Sequence, residues 1–173
     1  TKDSGLVAFN TVSTTEFNGL NYGDVITASL PQTSSIAIEY HVLDDVRLHV
    51  DALRNISDYY TYLSDHYAFS SSLGDKATQS LTLVSIPSIF YGSSIKKGSV
   101  ELKFNITGTT VGQIKDENQD GNLIQVGPEG STGSGSVAGV VYYNEGFLLL
   151  TGSWNITEES RDLYEGLVFP QWK

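Results

Sequence analysis

The chain has 173 residues, 39% of them hydrophobic, with ten tyrosines and seven phenylalanines, so it can bury a real core. It contains no cysteine, which excludes a disulfide scaffold, thiolate zinc sites and a cysteine nucleophile. The formal net charge of −10 argues against specific nucleic-acid binding, and no run approaches the ~20 apolar residues of a membrane span.

The N-terminal part of the chain shows three short strand patterns, at residues 6–9, 25–30 and 34–42. In the last pattern, Ile36, Ile38 and Tyr40 share one face of the predicted strand, because successive side chains of a strand point to opposite sides. Methionine is absent even at position 1, so we expect these residues to be a segment of a longer chain.

The apolar period changes between residues 46 and 63. Apolar side chains recur there at spacings of four and three residues, which is typical of one face of an amphipathic helix. They are Val46, Val50, Leu53, Ile56, Tyr60 and Leu63. Asp44 or Asp45 is expected to be the N-cap, since a carboxylate there accepts hydrogen bonds from free backbone N–H groups. The sequence thus predicts one helix at about residues 45–63.

The stretch from residue 81 to residue 152 organises the rest of the chain. A β-rich run at 78–86 leads to glycine-containing turns at 91–93 and 96–98, and an alternating run follows at 100–106. Runs at 137–142 and 147–150 flank the turn Asn144-Glu145-Gly146. Such alternation between turns predicts antiparallel strands. The predicted fold is a single mainly β, sandwich-like domain over residues 1–173 with one packed helix, and α+β is the alternative.

Two segments of the C-terminal half are predicted to lie outside strands. Residues 125–135 are rich in glycine and serine and predict an exposed loop. Residues 153–173 carry aromatic side chains that would not be left in water, so this tail should either pack on its own domain or dock on a neighbouring chain. Trp154, Phe169 and Trp172 are the residues predicted to contact such a neighbour.

The sharpest local motif is Asp116-Glu117-Asn118-Gln119-Asp120-Gly121. Its spacing places oxygen-bearing side chains at Asp116, Asn118 and Asp120 and a glycine at the turn, as a calcium loop needs. Gly127 stands where an EF-hand has its bidentate glutamate, and no predicted helix flanks the motif, so an EF-hand is excluded. A calcium-binding β-loop and an ordinary Asp-Gly hairpin turn both stay open.

No catalytic constellation emerges from the sequence. His41, His49 and His66 fall in different predicted elements or on different helix faces, which disfavours a histidine metal site. The glycine-rich loop lacks a P-loop lysine, and neither a dinucleotide fingerprint nor a G-x-S-x-G nucleophile elbow occurs. We therefore expect a protein that is not an enzyme, with calcium as the one candidate cofactor.

Two turn patterns of the central stretch resemble those of a known group of proteins. An I-K-x-G-S-V strand start is formed by Ile95, Lys96, Gly98, Ser99 and Val100, and a closing hairpin by Gly139, Val141, Tyr143, Glu145, Gly146, Thr151 and Gly152. With these patterns, the blocks 63–73, 85–100 and 139–154 resemble segments of structural proteins of tailed bacteriophages, especially contractile-tailed phages of marine cyanobacteria. The resemblance covers about half of the chain, from about residue 60 to residue 154.

The resemblance implies a component of the virion, in the tail, baseplate or neck, assembled in the bacterial cytoplasm. Its partners would be further copies of itself and other virion proteins, and its turn and packing residues would serve architecture. These are Tyr91, Gly92, Gly98, Gly139, Tyr143 and Gly146. The alternative is a secreted or surface-attached β-sandwich that binds carbohydrate through its tyrosines and tryptophans, with calcium. Mass in solution separates an oligomerising subunit from a monomeric binding module.

Overall fold

The computed structural model describes residues 36–42, 46–158, 160–163 and 166–173, and β-strands dominate them. In chain order the strands are β1 (Ala37–His41), β2 (Ser70–Ser71), β3 (Gly74–Asp75), β4 (Leu81–Ser85), β5 (Glu101–Ile106), β6 (Thr109–Lys115), β7 (Asn122–Gly127), β8 (Val137–Tyr142), β9 (Phe147–Leu150), β10 (Arg161–Leu163) and β11 (Gly166–Val168). The strand patterns at 6–9 and 25–30 lie outside the described residues, as do Asp44 and Asp45.

Seven of these strands form one antiparallel sheet in the order β1-β4-β9-β8-β7-β6-β5, and β2-β3 and β10-β11 are separate two-stranded ribbons. The prediction of a mainly β fold is confirmed. Residues Ala37–Lys173 form one compact unit. The predicted single domain over 1–173 extends beyond the part of the chain described here.

Strands β5 to β9 form an up-and-down meander, since each pairs with the next. The β5–β6 connection consists of Thr107 and Gly108, both at positive φ (49° and 86°), which suits the twist of a two-residue hairpin. The predicted turn at 144–146 joins β8 to β9, and Gly146 adopts φ 75° there, a conformation that favours glycine. The strands predicted at 137–142 and 147–150 are found at those positions.

The sheet is curled, and both of its edge strands, β1 and β5, line the same groove. Tyr40 of edge strand β1, Thr82 of β4 and Phe104 of the opposite edge strand β5 line this groove together with the C-terminal segment. The C-terminal segment reaches the inner face of the sheet, where Trp172 approaches Gly112 of β6 too closely for any side chain at that position. The segment is therefore part of the core.

The helical segment covers the other face of the sheet. Two short helices, α1 (Leu48–Ala52) and α2 (Arg54–Tyr60), stand where one longer helix was predicted. A tightened turn separates them, in which the N–H of Leu53 donates to the C=O of Val50. Ser57 of α2 meets the sheet directly, because its Oγ lies 2.6 Å from the hydroxyl of Tyr142.

The predicted apolar face of this helical segment is only partly right. Val50, Leu53 and Tyr60 are buried, but Val46 is 78% exposed and precedes the first helix. The N-cap position belongs to Arg47, whose side chain makes no capping hydrogen bond. The helix thus begins later and ends earlier than its periodicity indicates, because tertiary contacts rather than propensity set its limits.

Arg47 and Lys76 are buried cations that hold the helical segment against the loop before β4. The guanidinium of Arg47 donates to the carbonyl oxygens of Lys76 (3.1 Å), Gln79 (2.5 Å), Thr78 (3.2 Å) and Val42. The ammonium of Lys76 donates to the carbonyl oxygens of His66 (2.9 Å) and Ala68 (2.5 Å). Burial lowers the pKa of Lys76 to about 8. Both side chains satisfy backbone acceptors that packing would otherwise leave unpaired.

The loop predicted at residues 125–135 needs a correction at its start. Strand β7 runs to Gly127, and Gln125 within it is 1% exposed. Its backbone N–H donates to Ser136 and its C=O accepts from Gly135, so the glycine-rich segment folds back onto the strand that precedes it. Composition alone placed Gln125 with the glycines that follow it rather than with the strand.

Candidate functional site

The predicted calcium motif forms a buried junction of turns. Asp116 is fully buried, and its Oδ2 accepts hydrogen bonds from the N–H of Gly98 (2.7 Å) and the hydroxyl of Tyr143 (2.6 Å). Its Oδ1 accepts from the N–H of Gly121 at 3.1 Å. One carboxylate therefore ties together the turn before β5, the β6–β7 turn and the β8–β9 turn.

This arrangement shows how the oxygens of the predicted calcium motif are used within the fold. Both oxygens of Asp116 face hydrogen-bond donors, whereas Asp120 turns to Asn122, accepting from its N–H (2.9 Å) and from its Nδ2 (2.8 Å). Asn118 is exposed. Among the described residues, no group of three His, Cys, Asp or Glu side chains could hold a metal ion. The motif forms the turn between β6 and β7, and calcium binding by it stays a prediction.

Several of the turn residues expected to serve architecture lie in or near this junction. Gly98 and Tyr143 bind Asp116 directly, and Gly98 adopts φ 76° as its turn requires. Gly146 lies against the ring of Tyr91, and a side chain there would collide with it. Gly98 and Tyr143, which are far apart in the sequence, are thus neighbours around one carboxylate.

A cleft of about 190 Å³ opens beside this junction. Its walls are the end of α2 with the residues after it, the segment 94–97, and the start of the β8–β9 turn. The side chains that give it chemistry are Tyr60, Tyr62, Ser94, Lys96, Lys97 and Tyr143. Because Tyr143 is fixed by Asp116, the junction supports the cleft from below.

Stacked tyrosines form one wall of the cleft. The ring of Tyr62 is 69% exposed and lies 6.4 Å from that of Tyr60 at an interplanar angle of 21°. Behind them, Tyr60 stacks on Tyr67 at 5.2 Å, and both contact Tyr142 edge-on. This packing fixes the wall in place.

The hydroxyls of this cluster are held in their neutral form. Burial raises the pKa of Tyr60 and that of Tyr142 to about 12. Burial also raises the pKa of Tyr67. The pKa of Tyr143 is raised by burial and, in addition, by its hydrogen bond to the carboxylate of Asp116. These hydroxyls therefore act as hydrogen-bond donors and not as bases near neutral pH.

The opposite wall of the cleft carries two exposed lysines. The Nζ of Lys97 lies 5.5 Å from the ring centroid of Tyr143, within cation–π range. No carboxylate of the described residues lies within ion-pair distance of Lys96 or Lys97, whereas the exposed Lys103 is paired with Glu101 at 2.9 Å. The two lysines thus bring positive charge without an ion-pair partner to a chain whose net charge is −10. Two carboxylates beside the cleft are engaged by its tyrosines, since Glu145 accepts a hydrogen bond from Tyr60 at 3.0 Å and Asp116 accepts one from Tyr143.

The histidines are placed differently from the expectation that all three lie apart. Glu39 brings two of them together, since its Oε2 lies 2.8 Å from Nδ1 of His49 and 3.5 Å from Nε2 of His41. The hydrogen bond from His49 lowers the pKa of Glu39. Burial lowers the pKa of His66 and favours its neutral ring.

Of the tail residues predicted to contact a neighbour, Trp154 and Trp172 form contacts within the compact unit Ala37–Lys173. Trp172 is 6% exposed, so its predicted role at an interface is corrected to one in the core. The indole N–H groups of Trp154 and Trp172 both donate to Oε1 of Gln125, at 2.7 and 2.8 Å. Nε2 of Gln125 donates to Ser131 and Thr132 of the glycine-rich loop. Phe169 is half-buried and lines the groove beside Tyr40.

Gln125 is the functional residue of this core that sequence reasoning missed. The side-chain amide of Gln125 joins the tail to the loop: its oxygen accepts from the two tryptophans, and its nitrogen donates to Ser131 and Thr132. One side chain thus provides hydrogen bonds to four polar groups. The sequence offered one signal, because Gln125 is an amide within a largely apolar strand pattern. The chain also has two tryptophans, and a buried indole N–H needs an acceptor such as this amide.

No family model matches this chain, no curated protein is similar to it in sequence, and no solved structure matches its fold. Among the described residues, no helix has the length and apolar character needed to cross a membrane.

Proposed function

We propose that this chain is a non-enzymatic structural subunit of the virion of a tailed phage, assembled through protein–protein contacts in the tail, baseplate or neck. The phage-like turn motif supports a structural role, since its residues Gly98 and Tyr143 serve to hold turns together around Asp116. The N–H of Gly98 and the hydroxyl of Tyr143 are both used in hydrogen bonds within the protein, which supports a structural role rather than a catalytic one.

The observation that carries the proposal is the exposed apolar side of edge strand β1. Ile38, Tyr40 and Val42 are 68%, 55% and 45% exposed. In the described part of the chain, no strand pairs with the outer edge of β1. An edge with free N–H and C=O groups and apolar side chains favours pairing with another chain. A second copy paired antiparallel along β1 would bury this surface on both subunits.

The test is the mass of the chain in solution, by light scattering coupled to size-exclusion chromatography. We expect an oligomer, and we expect the double substitution Ile38→Lys with Tyr40→Lys to give a monomer that keeps the same circular dichroism spectrum. Tyr59→Lys is the matched control, because Tyr59 is equally exposed (71%) but lies on α2. A wild-type monomer that no other virion protein recruits would contradict the proposal, as would an oligomer that the double substitution leaves intact.

Imaging of assembled particles is the direct test of the virion assignment. The chain should appear repeated about a symmetry axis, with the outer edge of β1 against a neighbour. A particle in which this edge faces solvent in every copy would contradict the proposed contact.

A carbohydrate-binding module is the second candidate, and the exposed rings of Tyr59 and Tyr62 favour it. Its calcium dependence stays a prediction, and Asp116 already accepts hydrogen bonds from donors of the protein itself. A stand-alone binding module would give a monomer in the mass measurement, so the same experiment separates it from a self-assembling subunit.

A further inference from the structure

We propose that the cleft between the end of α2, residues 94–97 and the β8–β9 turn binds an acidic sugar unit, with Lys96 and Lys97 receiving its carboxylate and Tyr62 contacting its ring. This site is independent of the proposed assembly surface, since neither Ile38 nor Tyr40 lines the cleft.

The charge of the ligand follows from the two lysines. They are adjacent in the chain, both line the cleft, and among the described residues no carboxylate forms an ion pair with either. The acidic remainder of the chain repels anions, so an anion that binds will bind where positive charge is concentrated. A carboxylate can accept charge-assisted hydrogen bonds from both ammonium groups.

The ring of the ligand follows from the tyrosine wall. Tyr62 presents a flat, largely exposed face that is held by its stacking on Tyr60, so little conformational entropy is lost when a ligand covers it. The negative face of an aromatic ring attracts the polarised C–H groups on one side of a pyranose. Ser94 and the neighbouring Asn144 also line the cleft and offer hydrogen bonds to sugar hydroxyls.

The size and position of the cleft favour a sugar over a peptide or a nucleic acid. A volume of 190 Å³ is below that of pockets for whole drug-sized ligands, so it accommodates one unit of a longer chain. A helix end, a loop and a turn form its walls, which gives an acidic peptide no strand edge to extend and no long groove for a helix. Two cations would neutralise too few phosphates for a nucleic acid.

The experiment is a titration of the full ¹⁵N-labelled chain, followed by amide chemical shifts, with four separate probes. They are methyl glucuronide, methyl glucoside, acetate and a glutamate-rich peptide. We expect methyl glucuronide to shift amides of the cleft with millimolar affinity, and the neutral glucoside to bind at least about tenfold more weakly because it lacks the carboxylate.

Substitutions at the cleft should reproduce this loss. Lys96→Gln, Lys97→Gln and Tyr62→Ala should each weaken glucuronide binding by about tenfold or more. Lys103→Gln is the matched control, because it alters an exposed lysine outside the cleft. All four side chains are exposed, and unchanged shifts elsewhere in the spectrum will verify the fold.

Binding of glucuronide, together with the expected loss of affinity in the cleft variants, supports the site. If the glucoside binds as tightly as the glucuronide, the lysines do not recognise the carboxylate. If acetate binds as tightly as the glucuronide, Tyr62 does not contribute by contacting the sugar ring. Either result would overturn the proposal. Tighter binding of the peptide, or no shift with any probe, would equally overturn the proposal.

Discussion

At the scale of single residues, Asp116 determines how the turns of this protein meet. A carboxylate that is fully buried must be compensated, and here two backbone N–H groups and one hydroxyl provide the compensation. The chemistry that a calcium loop would use, oxygen atoms at a turn, is directed inwards to donors of the same chain. The acidic residue thus serves the fold and gives the adjacent cleft a fixed floor.

Asp116→Ala should lower the free energy of unfolding by about 3 kcal/mol or more, because Gly98, Gly121 and Tyr143 lose their buried acceptor. Urea denaturation followed by tryptophan fluorescence measures the loss. Glu117→Ala, at the exposed neighbouring position, is the control and should change stability by less than about 0.5 kcal/mol. If Asp116 bound calcium instead, calcium would raise the melting temperature of the unmodified chain, and this result would contradict our account.

At the scale of elements, the C-terminal segment belongs to the core, although it contributes no strand to the main sheet. Its last aromatic residue, Trp172, fills the space above Gly112 and shares the amide of Gln125 with Trp154. A curled sheet leaves its inner face open between the edge strands, and a segment carrying large side chains closes it without adding a strand.

Trp172→Ala should cost about 3–5 kcal/mol of unfolding free energy, the range for removing a large buried aromatic side chain. Leu167→Ala is the matched control in the same segment, since Leu167 is 62% exposed and its truncation creates no cavity. Equilibrium denaturation monitored by circular dichroism compares the two variants. Equal, small effects would show that the segment only lies on the surface.

At the scale of the whole molecule, burial of four tyrosines makes stability depend on alkaline pH. Burial raises the pKa of Tyr60 and Tyr142 to about 12 and that of Tyr67 and Tyr143 as well, whereas an unfolded tyrosine ionises near pH ~10. A group whose pKa is raised on folding contributes its full share to the free energy of unfolding below its unfolded pKa. This contribution is lost as the pH rises towards the folded pKa. Lys76 has the opposite effect: because its pKa is lowered to about 8 on folding, it makes the free energy of unfolding rise with pH above about pH 8.

We therefore expect the free energy of unfolding to hold or rise slightly from pH 8 to pH 10 and then to fall steeply towards pH 12. Urea denaturation at a series of pH values tests this course. Tyr142→Phe should make the fall above pH 10 shallower, whereas Tyr59→Phe, at an exposed position, should leave its slope unchanged. A flat profile to pH 12 would contradict the role assigned to the buried hydroxyls.

The sequence by itself determined the mainly β fold, the hairpin of β8 and β9 and the turns at Gly98 and Gly146, because these depend on residues adjacent in the chain. Alternation and glycine conformation are local properties, so the sequence pattern reports them directly. The break at Leu53, the burial of Gln125 and the inward direction of Asp116 depended on tertiary structure. Their hydrogen bonds and packing join segments distant in sequence, and only the curled sheet brings those partners together. The cleft was hidden for the same reason, since its tyrosines and lysines come from separate elements that the folded chain makes neighbours.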